Sequence, residues 1–572
     1  MLRPTIANVS MRGFQPRLLN QSILSARRYS SIQIPKRRSY TFLKLLAVAG
    51  SAGALLYATN ESFREGTKHA YYTTKRIGVV TIATAQCFNI YRNVLGKDFD
   101  DPHERNKALS EAHLKAARIT LKALERNGGV FIKLGQHVSA LTYLLPREWT
   151  DTMIPLQDRC PRSSIEEIEE MFLAEKGTSL DSIFSEFDPE PVGVASLAQV
   201  HIARLRDTGE KVAVKVQHPS LAEFVPLDIY MTQTVFDLMY RVFPEYPMTW
   251  LGDEMQNSIY VELDFVNEAQ NAEKTSRYFK KYQRDTALRI PKVISAEKRI
   301  LVMEFLSGAR LDDLKYIKEH NINTAEVSSC LSHIFNNMIF FPGAGLHCDP
   351  HGGNLAIRSV PKSESKNGHN FEIILYDHGL YRYIPLQMKR DYAHLWLAIL
   401  DNNIPEMRLY AEKVALVKGD RKFQIFAAAI TGRDPDTALN YDISKARSSE
   451  EIRNMQHQLH SEDGVLEDLM YILSSMPRMV LLILKTNDLT RNLDENLNNP
   501  LGPERTFLIL ANYCAKVVYE ENIEKVNKAY NPYSFKWMYF RLKSWLAFER
   551  RKSALFFYDI YMLFSNLKKA LT

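Results

Sequence analysis

The most constraining stretch of this 572-residue chain is His347-Cys348-Asp349-Pro350-His351-Gly352-Gly353-Asn354, followed by an apolar run and then Tyr376-Asp377-His378-Gly379. It sets an acid, an amide five residues later, and a second acid twenty-eight residues after the first. Pro350 and the Gly pair argue for a loop, and the polar Ser359–Asn370 stretch, with Pro361 and Asn367-Gly368, reads as a surface hairpin leading into the strand before Asp377. Such a chain must bring loops at strand ends together. With 45% apolar residues it has enough material for two or three domains, or for one large domain with extensions, and is neither disordered nor fibrous.

Acid, amide and acid in this order are the parts that protein kinases use: one Asp positions the nucleophile, while the Asn and the later Asp hold magnesium. Here those roles fall to Asp349, Asn354 and Asp377. Upstream, Val200–Leu205 and Lys211–Val216 flank Asp207-Thr208-Gly209 and predict a hairpin. Its second strand carries Val212-Ala213-Val214-Lys215, the strand lysine that neutralises the α- and β-phosphates of ATP, although an amphipathic strand ending in Lys is common by itself. Val261–Ala269 reads as helical and offers Glu268 as the partner that orients Lys215, with a solvated acidic face as the plainer alternative. Leu301–Phe305, containing Glu304, fits a strand leading into a hinge beside adenine, or an ordinary buried strand. His347, Asp349 and His351 also admit a zinc site, but the loop and the rest of the set favour magnesium with ATP or ADP.

Three further motifs narrow the resemblance. Lys133-Leu134-Gly135-Gln136 matches a K-x-G-Q motif, and Pro191–His201 resembles an Ala-rich loop standing where kinases have a Gly-rich one; Glu262 and Asp264 form an E-x-D motif. On these residues the chain resembles the UbiB/AarF (ADCK) family of atypical protein-kinase-like proteins, and Asp377–Tyr381 with Asp391–Trp396 resembles its mitochondrial ADCK subgroup. The resemblance implies an α+β, bilobal protein-kinase-like fold: a small mixed-sheet N-lobe, a helical C-lobe and an N-terminal helical extension folded over the site. It also implies that Lys133 and Gln136 gate the pocket, and that Ala195, Ser196, Lys215 and Glu304 line the nucleotide. Side chains on Val194, Ala195 and Ser196 stiffen a loop whose glycines would otherwise let backbone N–H groups approach phosphate. Gly193, Val194 and His378 depart from the family pattern.

The formal charge of +7 is a property of the leader. Residues 1–60 hold nine basic residues and no acid, whereas the other 512 residues carry 64 basic and 66 acidic groups, so no nucleic-acid partner is expected. Residues 1–29 have the Arg- and Ser-rich composition of a mitochondrial presequence. Residues 41–59, charged only at Lys44, fit a transmembrane helix or a buried or interfacial one. If the segment spans, the basic residues before it keep that side in the matrix and place the body in the intermembrane space. Five scattered cysteines suggest neither a disulfide framework nor a structural metal site.

The expected organisation is therefore a presequence (1–29), a transmembrane helix (41–59), the helical extension (60–160), an N-lobe (161–305) and a C-lobe with C-terminal helices (306–572). Residues 533–572 hold twelve aromatic and eight basic residues against two acids. That composition suits either a lipid-facing surface or, the preferred reading, a helix pair whose aromatics fill the core. Through the resemblance, the expected role is an inner-membrane atypical kinase or ATPase acting on coenzyme Q or another membrane lipid. The alternatives are a protein kinase and a nucleotide-switched, non-catalytic scaffold.

Overall fold

The computed structural model describes residues 44, 51, 54–140, 145–157, 160, 162–244, 248–365, 367–431, 472, 475–499 and 503–571. Residues 1–29 lie outside these, as does most of 41–59; among the described residues no helix is long and apolar enough to cross a membrane. The chain divides into two compact units, residues 1–72 and 73–572, and every site residue belongs to the second.

The extension comprises α1 (Glu61–Leu95), α2 (Pro102–Asn127), α3 (Val130–Ala140) and α4 (Arg147–Met153). Asp101 caps α2 by accepting from the His103 N–H, and Gly128 and Gly129, both at positive φ, turn the chain sharply into α3. Gly135 in α3 is dictated by packing: a Cβ there would stand 2.1 Å from Leu156 Cδ1 and 3.0 Å from Leu124 Cδ1. Arg76 of α1 grips the buried Asp228 through two hydrogen bonds and donates to the Asn127 carbonyl at 2.7 Å, tying the extension to the helix that carries Asp228.

After α5 (Ile165–Lys176), which starts on a capping box between Ser164 and Glu167, come β1 (Phe184–Phe187), β2 (Gly193–Val194), β3 (Ala198–Leu205) and β4 (Lys211–Gln217). Helices α6 (Leu221–Val242), α7 (Thr249–Glu262) and α8 (Phe265–Phe279) follow, then β5 (Leu288–Arg289), β6 (Val293–Ala296) and β7 (Ile300–Glu304). The N-lobe sheet runs β1-β3-β4-β7-β6, with β2 also on β3. Its described pairings are all antiparallel, not mixed as expected, because hairpins and a return from α8 connect the strands. The predicted helix over 261–269 is in fact broken at Leu263-Asp264: Asp264 turns its carboxylate onto the N–H groups of Val266 and Asn267 and starts α8 afresh.

The period of two decides where Lys215 points. Val212, Val214 and Val216 pack with Ile168, Met171 and Phe172 on one face, so Ala213 and Lys215 look the other way, toward Phe265 and Ala269 of α8. In the C-lobe, β8 (Ala309–Arg310), α9 (Thr324–Phe340), β9 (Leu346–His347), β10 (Leu355–Ser359), β11 (Phe371–Leu375) and β12 (Tyr381–Arg382) surround the motif loops. The parallel pair β5–β11 lies in this lobe. The helices α10 (Leu386–Leu400), α11 (Ile404–Ala415), α12 (Asp420–Thr431), α13 (Arg478–Asn496), α14 (Pro503–Ala529) and α15 (Phe535–Leu571) complete the body. The main core gathers around Ile334, Met338, Tyr392, Trp396, Val480 and Ile483.

Candidate active site

Two short antiparallel ladders assemble the motif residues. β9 pairs with β12 (His347 opposite Tyr381), and β10 with β11 (Leu355 opposite Leu375), so Asp349, Asn354 and Asp377 arrive at neighbouring strand ends. The Tyr376 N–H donates to the Asn354 carbonyl at 3.0 Å, and His347 bridges the loops, with Nε2 donating to the Asp377 carbonyl at 3.0 Å and Nδ1 accepting from the Asp349 N–H at 3.2 Å. Both its nitrogens are thus engaged, which disposes of His347 as a zinc ligand. Among the described residues no three His, Cys, Asp or Glu side chains cluster as metal ligands, and none of the five cysteines forms a disulfide.

Lys215 Nζ lies 2.6 Å from Glu268 Oε1 and 3.1 Å from Asp377 Oδ2. Burial would lower the lysine's pKa, but Asp377 and Glu268 outweigh it and hold the ammonium charged. Burial drives Glu268, 1% exposed, up to about 7 against the pull of Lys215. For Asp377 burial is overcome by Lys215 and by the Gly379 N–H donating to Oδ1 at 2.8 Å, leaving it below the usual carboxylate range.

Asp349 is clamped from both sides. Lys133 of α3 reaches its Oδ2 at 3.2 Å and also Glu262 Oε2 at 2.8 Å, while Lys485 of α13 reaches its Oδ1 at 2.9 Å. Burial alone would raise the Asp349 pKa, yet Lys485 and Lys133 depress it well below the ordinary value, so it is a weak base in this state. Thr486, next to Lys485, donates to the His347 carbonyl at 3.4 Å, fixing α13 to the same loop. His137 accepts no proton readily: burial, Lys485 and Lys133 lower it to about 3.

Gln136 Nε2 donates to the Leu156 carbonyl at 3.0 Å, and its Oε1 accepts from Ser196 Oγ at 3.4 Å, which joins the extension to the Ala-rich loop. The Ala195 carbonyl accepts from His218 Nε2 at 3.0 Å, and His218 Nδ1 accepts from Ser163 Oγ at 2.9 Å. Glu304 ends β7, but its carboxylate takes Arg289 at 2.6 Å and the Lys292 N–H at 3.0 Å, so its side chain is taken up by an ion pair.

Asn354 Nδ2 donates to the Asp349 carbonyl at 3.1 Å, which fixes the amide and leaves its oxygen as the atom that could ligate a metal. Oxygen donors from Asn354 and Asp377 fit a magnesium ion that keeps its waters and nucleotide phosphates. Glu262 Oε1 and Glu268 Oε2 are buried oxygens without a hydrogen-bond partner among the described residues, further acceptors beside the same lysines. Sequence reasoning placed Lys133, Lys215, Glu268, Asp349, Asn354 and Asp377 together, and the structure brings them together. Lys485 it missed, although a lysine closing the apolar run Met479–Leu484 is a signal, since a buried lysine needs a partner.

Comparison with known proteins identifies the family. Residues 155–411 match the ABC1 atypical kinase-like domain. The chain is 56% identical over 534 residues to the ABC1 family protein MCP2 of Saccharomyces cerevisiae, spanning 92% of this chain and 94% of that one. It is 44% identical to the MCP2 homolog of Schizosaccharomyces pombe, covering 93% and 92%. To the AarF domain-containing kinase 1 of Drosophila melanogaster it is 36% identical, covering 76% and 81%. With a kinase-like fold, its six motif residues convergent and relatives matched over nearly their whole length, the chain belongs to the ABC1, or UbiB/AarF, family of atypical kinase-like proteins.

Proposed function

We propose that the chain is an ATP-dependent atypical kinase or ATPase, anchored by residues 41–59 in the mitochondrial inner membrane with its body in the intermembrane space, and acting in coenzyme Q and membrane-lipid homeostasis or distribution. The observation that carries the reading is Lys215 bonded at once to Glu268 and Asp377, with Asp349 and Asn354 alongside. A purely structural pair would not need the whole set.

In this reading Lys215 takes the α- and β-phosphates, Glu268 holds that lysine in place, and Asp377 and Asn354 would hold magnesium, which would supply positive charge to neutralise the phosphates. Asp349 aligns the attacking group. While Lys133 and Lys485 each donate to one of its oxygens, Asp349 is a poorer acceptor for the proton of an incoming hydroxyl. That arrangement favours a gated nucleotide cycle over ordinary phosphorylation of a polypeptide. The test is complementation of a deletion strain by Asp377→Asn, reading mitochondrial quinone and phospholipid distribution. Loss of the wild-type distribution is expected; full rescue would sink the nucleotide-dependent mechanism.

A further inference from the structure

The last helix, α15, has two unlike faces. One seats on the body: Leu555 is buried with Leu508 and Ala511, Phe548 stacks on Tyr519 at 4.8 Å, and Phe540 on Tyr530 at 5.1 Å. Trp537 Nε1 donates to Asn527 at 2.8 Å, and Arg551 forks onto Asp401 at 3.0 and 2.6 Å. The core-filling role preferred from composition holds only for this face.

The opposite face is bare. Phe535, Met538, Tyr539, Leu542, Trp545 and Leu546 are 46–87% exposed, and Phe556, Phe557 and Tyr561 continue the stripe at 61–67%. Their spacing of three and four residues puts them on one side of the helix. Exposed basic residues border it on both sides, Lys536, Lys543 and Arg550 along one edge and Arg541 and Lys552 along the other. Asp559 is turned toward Arg505, at 4.0 Å, and Glu549, half-buried, is the one acid of α15 whose helical position falls within the stripe. An apolar stripe fringed by cations, with aromatic rings of interfacial type, complements a surface that is apolar within and negative at its boundary.

We propose that this face of α15 lies on an anionic lipid surface, its rings at the level of the headgroups and its basic borders on lipid phosphates. A second copy of the chain fits less well, since two such faces would set like charges against each other along both edges. The contact rests on the membrane setting proposed above but is independent of residues 41–59 and of the nucleotide site.

The test uses the full chain with an environment-sensitive fluorophore at Tyr539→Cys, or on the body at Thr208→Cys, mixed with brominated phosphatidylcholine vesicles with or without phosphatidylglycerol. Quenching confined to position 539 and to the anionic vesicles is expected. Each basic residue near the surface is worth about fivefold, so Lys543→Gln with Arg550→Gln should lower the bound-to-free ratio of α15 roughly 25-fold. Both side chains are exposed, so this variant keeps the fold and should retain nucleotide binding. Equal quenching at positions 539 and 208, quenching indifferent to lipid charge, or concentration-dependent crosslinking of chains through position 539 would overturn the proposal. A chain that associates with both kinds of vesicle while position 539 stays unquenched is held by its anchor alone, and also overturns it. Association with anionic vesicles only, with position 539 quenched, supports the face while refuting the anchor.

Discussion

Lys485→Met tests the clamp on Asp349 most directly. The lysine's side chain is 13% exposed and Asp349's 19%, so their 2.9 Å contact is only partly screened by solvent. A hydrogen bond between charged groups contributes about 1.5–3 kcal/mol net, and removing one partner of a buried pair costs more when no other partner remains. Here Lys133 remains on Oδ2, which places the loss at about 2 kcal/mol. A double-mutant cycle over wild type, Lys485→Met, Asp349→Asn and the pair, read from urea unfolding of the full chain, should give a coupling of about 1.5–2.5 kcal/mol. Repeating the cycle in Lys133→Met should raise the coupling, because Lys485 would then be the last cation on the carboxylate. A coupling below about 0.5 kcal/mol, the scale of an exposed ion pair, would refute the claim that Lys485 restrains Asp349.

Other consequences are open to measurement. Gly135→Ala drives a methyl group into Leu156 and should destabilise the extension by about 1–3 kcal/mol, with recovery in Gly135→Ala/Leu156→Ala; an unchanged unfolding midpoint would refute the packing argument. Lys133→Met releases one Asp349 oxygen and should raise phosphoryl transfer in an Asp349-dependent way. Labelled phosphate then appearing on polypeptide rather than in solution would favour the protein-kinase reading, and no change in a folded variant would remove Lys133 as the gate. His218 is held neutral by burial, its pKa below the ordinary value, whereas in the unfolded chain it takes a proton near pH 6.5. Its contribution to stability is therefore complete above that pH and is lost as pH falls, by at most about 1.4 kcal/mol per unit. His218→Gln should flatten the difference in urea midpoint between pH 7 and 5.5, and an unchanged slope would contradict the assignment.

How far the sequence announced this molecule varied with the distance over which its residues act. Lys215 was legible because the period of a strand fixes which face it occupies, and Asp349, Asn354 and Asp377 because their spacing is set by two short ladders. The break at Asp264 was not, since helical periodicity runs through it and the deciding event is a side chain capping two amides. Lys485 lies 136 residues from Asp349, and no local pattern encodes that meeting. The exposure of α15 escaped for the same reason: its two stripes are both apolar, and only the packing of α14 tells which one is covered.

The carboxylate of Asp349 is held by groups 216 residues before it and 136 residues after it in the chain. At synthesis rates of about 5–20 residues per second, Lys485 follows Asp349 off the ribosome by roughly 7–27 seconds. A nascent chain thus has its loop, its strand lysine and its first restraint before the second exists. The same order makes the clamp a marker of completion: a product ending between residues 377 and 485 retains every residue of the phosphate-handling motif, but with its aspartate more basic than in the finished protein.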